Sequence, residues 1–422
     1  MNKNSLIIKN IGRLYQTDNN DRSMVKGGDM AQLPYIDNAF VVIKEGKIDD
    51  FGTMDNIPSV ENIDCIDVAG KMALPAWCDS HTHLVYPQSR EIEYIDKIKG
   101  LSYEEIAKRG GGILNSAQKM KDADEDSLFA EAMKRLEMMK SFGTGAVEIK
   151  SGYGLSVDAE LKMLRVIKRL KQESNLTIKS TFLGAHAIPQ EYKNNREKYI
   201  DLIIKEMIPE IAKENLADYI DVFCDKGFFT VEETRRILIA GIKAGMRPKI
   251  HANELDYSGG IQVGVEFDAL SVDHLEYTGD AEIEVLKNSR TMPTILPGAA
   301  FFLGMVYAPA RKMIENGLPV ALASDYNPGS SPSGNMQLII SMGSILYRML
   351  PEEVVNAVTL NGAYAMGVEK ELGSIAKGKK ANIIILKDIP SLAYLPYAYG
   401  ENKVENVIIN GVVQLNQLRI KN

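Results

Sequence analysis

Cysteine is scarce in this chain. Cys65, Cys78 and Cys224 are the three present, an odd number, widely spaced and without a CxxC pair. This excludes a disulfide framework and a cysteine zinc cluster. Long apolar runs are also missing. Nothing approaches the roughly 18 residues of a membrane span, and the opening MNKNSLIIKNIGRLYQT lacks the apolar core of a signal peptide. The expectation is a cytoplasmic protein with no membrane partner. Nor is there a basic excess: 49 Lys and Arg stand against 56 Asp and Glu, a formal net charge of −7. Without a basic footprint, nucleic acid is not an expected partner. An anionic substrate would therefore need a local cation, because the overall field does not attract it.

What is present is length and pattern. The 422 residues, 45% hydrophobic and 25% charged, suit an ordinary globular protein with a domain of about 250–300 residues and a smaller one. Short strands are expected at Ser5–Ile8, Ala39–Lys44, Ile48–Phe51 and Asn62–Val68, and again at Ala381–Leu386 and Val404–Val413, the last broken by Asn410-Gly411. Neither end can bury a face alone. Residues 1–71 and 375–422 are therefore expected to combine into one small β-sandwich.

Between them, over residues 72–374, apolar strands alternate with amphipathic helices. The eight strands expected are Met72–Trp77, Gly145–Ile149, Thr177–Leu183, Tyr219–Phe223, Pro248–Ala252, Ala269–His274, Thr291–Leu296 and Val320–Ser324. Asp124–Lys140 carries Leu128, Ala132, Met133, Leu136 and Met139 on one stripe. Thr230-Val-Glu-Glu233 is a capping box opening a helix to about Ala244. Strands buried on both faces and alternating with helices predict an α/β fold, a (β/α)8 TIM-like barrel. An open doubly wound sheet is the alternative, but no GxGxxG follows the first strand.

Histidine is scarce as well, and the five present are placed alike. His81, His83, His186, His251 and His274 all fall at or just after the C-terminal end of an expected strand, where barrel enzymes keep their active sites. In Asp79-Ser-His81-Thr-His83 the two imidazoles share one face of an extended segment and can reach one ion. His251 ends strand five, and Asp325 ends strand eight, which neighbours strand one in a closed barrel. Three imidazoles and a carboxylate suit one zinc or iron ion with a position left for water. A binuclear centre built on a carboxylated lysine is disfavoured, because strand four ends Phe223-Cys224-Asp225 and Lys150 belongs to strand two.

Glu254, three residues past a ligand, is the candidate general base. His274 would polarise the attacked carbonyl, hold the oxyanion or add a ligand. Arg90 is the nearest cation on the first loop and suits a carboxylate. Tyr153 offers a hydroxyl on a Gly-flanked loop. In the loop Asp325-Tyr-Asn327-Pro-Gly329-Ser330, small residues are expected to leave backbone N–H groups free for a polar substrate.

Taken together these residues resemble the amidohydrolase superfamily and, within it, the imidazolonepropionase family. The resemblance covers the whole chain. Its family-specific stretches are Gly110-Gly-Gly-Ile-Leu114, Glu148-Ile-Lys-Ser-Gly-Tyr-Gly-Leu155, Phe182-Leu-Gly-Ala-His-Ala187, Lys249-Ile-His-Ala-Asn-Glu254, Asp273-His-Leu-Glu-Tyr277 and Asp325-Tyr-Asn-Pro-Gly-Ser-Ser331. Pro75-Ala76 stands where the family has Pro-Gly, in the barrel wall. The resemblance implies hydrolysis of the ring amide of 4-imidazolone-5-propanoate to N-formimidoyl-L-glutamate, by a homodimer carrying one Zn2+ or Fe3+ per subunit.

It assigns the metal to His81, His83, His251 and Asp325, with Glu254, His274 and Asp325 in catalysis. It puts Arg90, Tyr153, His186 and Glu254 on the substrate, and Asn327, Gly329 and Ser330 around the product. A heterocycle deaminase of the same superfamily is the runner-up, disfavoured because Arg90, Tyr153 and His186 suit a propionate tail. A non-catalytic scaffold would have no reason to keep the ligands together with Glu254 and His274.

Overall fold

The strands at the two chain ends join one sheet. The computed structural model describes residues 5–19, 22–59, 63–101, 105 and 111–414; Asn62 and Gly110 of the expected elements lie outside them. The chain opens with β1 (Ser5–Tyr15), β2 (Tyr35–Lys44), β3 (Lys47–Thr53), β4 (Asp64–Asp67) and β5 (Met72–Pro75). Next come β6 (Trp77–Asp79), β7 (Thr144–Lys150), β8 (Thr177–Ala185), β9 (Tyr219–Cys224), β10 (Arg247–Ala252), β11 (Ser271–His274), β12 (Met292–Ile295) and β13 (Ala321–Leu322). It closes with β14 (Ile383–Leu386), β15 (Val404–Ile409) and β16 (Val412–Val413).

Both ends meet in one mixed sheet, ordered β16-β15-β14-β5-β1-β2-β3 with β4 against β1. Alternation along β14 joins this sheet to the rest of the molecule. Ile383 and Ile385 face a small core with Ile8, Ile11, Val41 and Ile43, while Ile384 and Leu386 turn into the main core.

The second sheet runs in sequence order from β6 to β13, with every pairing parallel. The ring is completed beyond β13: Asp325 N–H donates to His81 O at 3.0 Å, and His83 N–H to Tyr326 O at 2.9 Å. Closure is thus made by the residues expected to carry the chemistry. Helices cover the outside. The helix Glu125–Ser141 is capped by Asp124, which accepts from Ser127 N–H, and Val231–Lys243 by the Thr230–Glu233 box. Among the described residues, no helix is long and apolar enough to cross a membrane.

One expected strand divides. Met72–Trp77 reads as a single apolar run, yet Met72–Pro75 pairs with β14 in the first sheet and Trp77 begins the barrel. The transfer occurs at Ala76, whose N–H donates to Asn382 O, before Trp77 N–H donates to Gly143 O, each at 2.9 Å. Pro75 contributes no N–H at the crossing. The last barrel strand is also shorter than Val320–Ser324, because Ser324 N–H turns to the Asp79 carboxylate at 3.0 Å.

Candidate metal centre and substrate pocket

The five histidines converge. Ring centroids of His81 and His251 lie 4.5 Å apart, those of His81 and His83 5.3 Å, His83 and His186 5.3 Å, and His251 and His274 5.3 Å. Asp325 Oδ1 stands 3.6 Å from both His81 Nε2 and His83 Nε2. That is too long for a hydrogen bond. It matches the edge of a metal shell, since donors about 2.0–2.2 Å from an ion lie roughly 3–3.6 Å apart.

Two donor groups have one ligand atom per residue lying within 4.8 Å of one another, His81–His83–Asp325 and His81–His251–His274. The Nε2 atoms of His81 and His251 are buried without a hydrogen-bond partner, which suits lone pairs meant for an ion. Burial first, then Lys150 and His251, holds His81 well below the usual histidine range. Burial with His186 does the same for His83. The residues present therefore fit a metal ion.

The other ring nitrogens are held from below. His81 Nδ1 is hydrogen-bonded to Asp273 Oδ2 at 2.6 Å, and His251 Nδ1 lies 3.0 Å from Asp221 Oδ2. A carboxylate behind a ligand histidine sets its tautomer and orientation. Both carboxylates belong to a fully buried charge cluster inside the barrel. Lys150 Nζ contacts Glu148 at 2.7 Å, Asp221 at 2.8 Å and Asp273 at 3.7 Å, and Lys249 pairs with Glu148.

Burial alone would raise Asp221, but His251 and Lys150 hold it well below the usual carboxylate range. Glu148, Lys150, Asp221, Lys249 and Asp273 are not among the site residues expected from the sequence. The available signal was charge inside runs otherwise apolar, spaced two apart at Glu148–Lys150 and Lys249–His251. With Lys150 so engaged, it does not stand as a bridge between two ions.

Two non-glycine residues in succession, His274 and Leu275, have positive φ of 86° and 74°. Such a conformation costs of order 1–3 kcal/mol and persists only where surroundings enforce it. Here Leu275 N–H donates to Ala252 O and Tyr277 N–H to Asn253 O. The turn brings His274 Nε2 to 3.6 Å from Glu254 Oε2. Burial, then repulsion from Asp325 and Asp225, pushes the Glu254 carboxyl up to about 8.

Above this floor lies a cavity of about 470 Å³. Every residue singled out from sequence lines it except His81, which is fully buried. Glu93, Lys97, Phe223, Phe228 and Phe302 also line the cavity and were not singled out. Burial pushes Lys97 down. Arg90 immediately precedes the helix Glu91–Ile98, its Nε donating to Glu93 Oε2 at 2.8 Å.

The loop amides are not free as expected. Gly329 N–H and Ser330 N–H both donate to Asn327 Oδ1 at 2.8 Å, and Asn327 Nδ2 donates to Asp325 O and Ser330 Oγ at 2.7 Å. An Asx-type turn consumes them locally. Asn327 thus shapes the turn that carries Asp325. Gly329 has a steric role: a Cβ there would lie 2.1 Å from Arg90 Nη1 and 2.6 Å from its Cζ. Gly329→Ala is expected to displace the guanidinium and raise KM on the order of tenfold, the loss of roughly one charge-assisted hydrogen bond, with metal content unchanged. Steady-state kinetics with metal analysis check this.

Imidazole and carboxylate donors at the C-terminal ends of a parallel barrel, beside an ionisable glutamate, define a metal-dependent hydrolase. Residues 72–413 match the Amidohydrolase family model. The imidazolonepropionase of Flavobacterium johnsoniae is 55% identical over 96% of this chain and 99% of its own length. That of Alkaliphilus oremlandii is 45% identical over 96% of this chain and 97% of its own. The chain belongs to the amidohydrolase family, among its imidazolonepropionases. E. coli guanine deaminase shares the fold at a TM-score of 0.73 and 14% identity, covering 99% of each chain. The 5-methylcytosine deaminase of Klebsiella pneumoniae does so at 0.72 and 19%, covering 99% of this chain and 100% of its own.

Proposed function

We propose that this chain hydrolyses the ring amide C–N bond of 4-imidazolone-5-propanoate to N-formimidoyl-L-glutamate, a step of histidine degradation. One zinc or iron ion per subunit is held by His81, His83, His251 and Asp325, in a cytoplasmic homodimer. The observation that carries the reading is a cavity lined by His83, His251, Asp325, Glu254 and the Arg90 cation, with His81 buried beside them, in a chain 55% identical to an imidazolonepropionase.

When bound, the ion supplies a Lewis acid that acidifies water. Glu254 takes the proton from the attacking water and returns it to the ring nitrogen as the C–N bond breaks. Asp325, a ligand carboxylate, also orients that water. His274 Nε2–H holds the carbonyl oxygen as it gains charge. Tyr153 and His186 line the same cavity as Arg90 and meet the substrate with it. Burial, then His251, pushes His186 down to about 3, so it meets the substrate as a neutral imidazole. Arg90 holds the propionate.

A charge of −7 does not gather anions, so the tail needs that cation. Each charge-assisted hydrogen bond from the guanidinium is worth roughly 1.5–3 kcal/mol. Arg90→Ala is expected to lower kcat/KM by on the order of 10²-fold with metal intact. Arg90→Lys should recover only part, keeping the charge but losing the planar fork. If both variants match the parent, the carboxylate is held elsewhere. The reading itself is tested by following loss of ring ultraviolet absorbance with imidazolonepropionate against cytosine, guanine and hydantoin compounds. Turnover confined to the imidazolone supports it, and turnover of a nucleobase alone overturns it.

A further inference from the structure

Glu93 stands where a carboxylate should hinder binding. It lines the same cavity as Arg90, in a protein whose charge of −7 already disfavours anions. A like charge beside an anionic tail weakens binding unless it is engaged elsewhere. Both of its oxygens are engaged. Oε2 accepts from Arg90 Nε at 2.8 Å and from Gly112 N–H at 2.9 Å, and Oε1 accepts from Asn115 Nδ2 at 2.8 Å. Gly112 belongs to the stretch Gly110-Gly-Gly-Ile-Leu114 that the sequence sets apart. Its φ of 82° favours glycine, and the next residue, Ile113, lines the cavity. Arg90 is confined on a second side as well: a Cβ on Gly329 would lie 2.1 Å from Nη1 and 3.1 Å from Nη2. Among the described residues neither Nη donates a hydrogen bond. The edge left over is therefore the one whose two parallel N–H bonds fit a carboxylate.

We propose that Glu93 is a positioning residue: by accepting from Arg90 Nε it holds the guanidinium with its Nη edge toward a carboxylate in the cavity, and so sets the preference of the pocket for an acid over its neutral amide. The inference rests on Arg90 as the cation for the substrate tail. Glu93 does not meet the reacting ring amide; it acts through Arg90. An arginine free to rotate about its side-chain bonds would present that edge only part of the time, and ordering it on binding would weaken affinity. The side chains of the pair are 12% and 15% exposed, so their attraction is little screened. Gly112 and Asn115 fix the carboxylate in turn, which ties the orientation of Arg90 to the start of the helix Ile113–Asp122.

The experiment uses the metal-loaded protein, turnover of imidazolonepropionate, and two inhibitors as probes, imidazole-4-propanoate and its propanamide. Glu93→Ala is expected to raise KM by on the order of tenfold with kcat within about threefold, as for lost ground-state binding. Inhibition by the propanoate should weaken to the same extent, while inhibition by the propanamide stays within about twofold, since an amide tail gains little from the fork. Glu93→Gln should recover most of the loss. Its carbonyl oxygen can still accept from Arg90 Nε and Gly112 N–H, with the Asn115 amide turned to accept from its NH2. In an Arg90→Ala background, Glu93→Ala should weaken propanoate binding no further, because the carboxylate there has no guanidinium to hold.

Parental inhibition by the propanoate in Glu93→Ala overturns the proposal. Equal weakening of both probes, or a further loss in the Arg90→Ala background, also overturns it and makes Glu93 a brace of the cavity wall. A Gln variant as impaired as Ala contradicts it too, because the hydrogen bond to Nε would then not be what counts. If Arg90→Ala keeps the parent's preference for the propanoate over the propanamide, the reading of Arg90 falls and takes the proposal with it. If Arg90→Ala loses that preference and Glu93→Ala keeps it, the reading of Arg90 stands and the proposal alone falls.

Discussion

Replacing His251 with Ala is expected to empty the metal centre and bring turnover below detection. His251 is the penultimate residue of β10, its ring among those of His81, His83 and His274. Its Nε2 is buried and unpartnered, while Asp221 steadies the opposite edge. Removing this imidazole takes one of the four proposed donors and leaves the Asp221 carboxylate facing a void. The strand itself should hold, because Ile250 and Ala252 pack into the main core and the His251 N–H donates to Asp221 Oδ1 at 3.1 Å whatever the side chain. Elemental analysis of the purified variant, with Tm measured against the metal-stripped parent, checks this. Stoichiometric metal in the Ala variant would refute the ligand assignment.

Glu254→Gln is expected to keep the metal and lower kcat by on the order of 10²–10⁴-fold, the usual contribution of a positioned acid–base group. Glu254 sits against His274 and lines the cavity. Burial, then Asp325 and Asp225, pushes its carboxyl up to about 8, within reach of proton exchange near neutrality. The sign follows. A base works only when ionised, so kcat/KM of the parent should rise with pH as Glu254 loses its proton, and a nearby cation shifts that rise to lower pH. Gln has no such proton, and the acid limb due to Glu254 should be absent from its profile. Near-normal kcat in the variant would remove Glu254 from acid–base catalysis.

Much of this was legible in the sequence because the informative residues are few. With five histidines, all at strand ends, spacing alone nominated one locus. The barrel was legible because strands buried on both faces read as apolar runs. The division at Pro75-Ala76 was not, since residues on either side are equally apolar and only pairing partners distinguish two sheets. The charges of Glu148, Lys150, Asp221, Lys249 and Asp273 were passed over for a related reason. Alternation tells which side chains share a face, but not that this face meets a polar barrel interior. The Asn327 turn used amides that composition suggested were free. Nothing local announces the strained backbone at His274 and Leu275, because neither is glycine and contacts from Ala252 and Asn253 enforce it.

Ring opening and deamination can share these metal ligands, Glu254 and His274, but they differ in where nitrogen goes. The most direct test is therefore to incubate the metal-loaded protein with imidazolonepropionate and analyse the product by mass while assaying ammonia. The expected product has gained one water and kept both ring nitrogens, with no ammonia released. Ammonia appearing in step with substrate loss, or a ring that survives intact, would contradict hydrolysis of the ring amide.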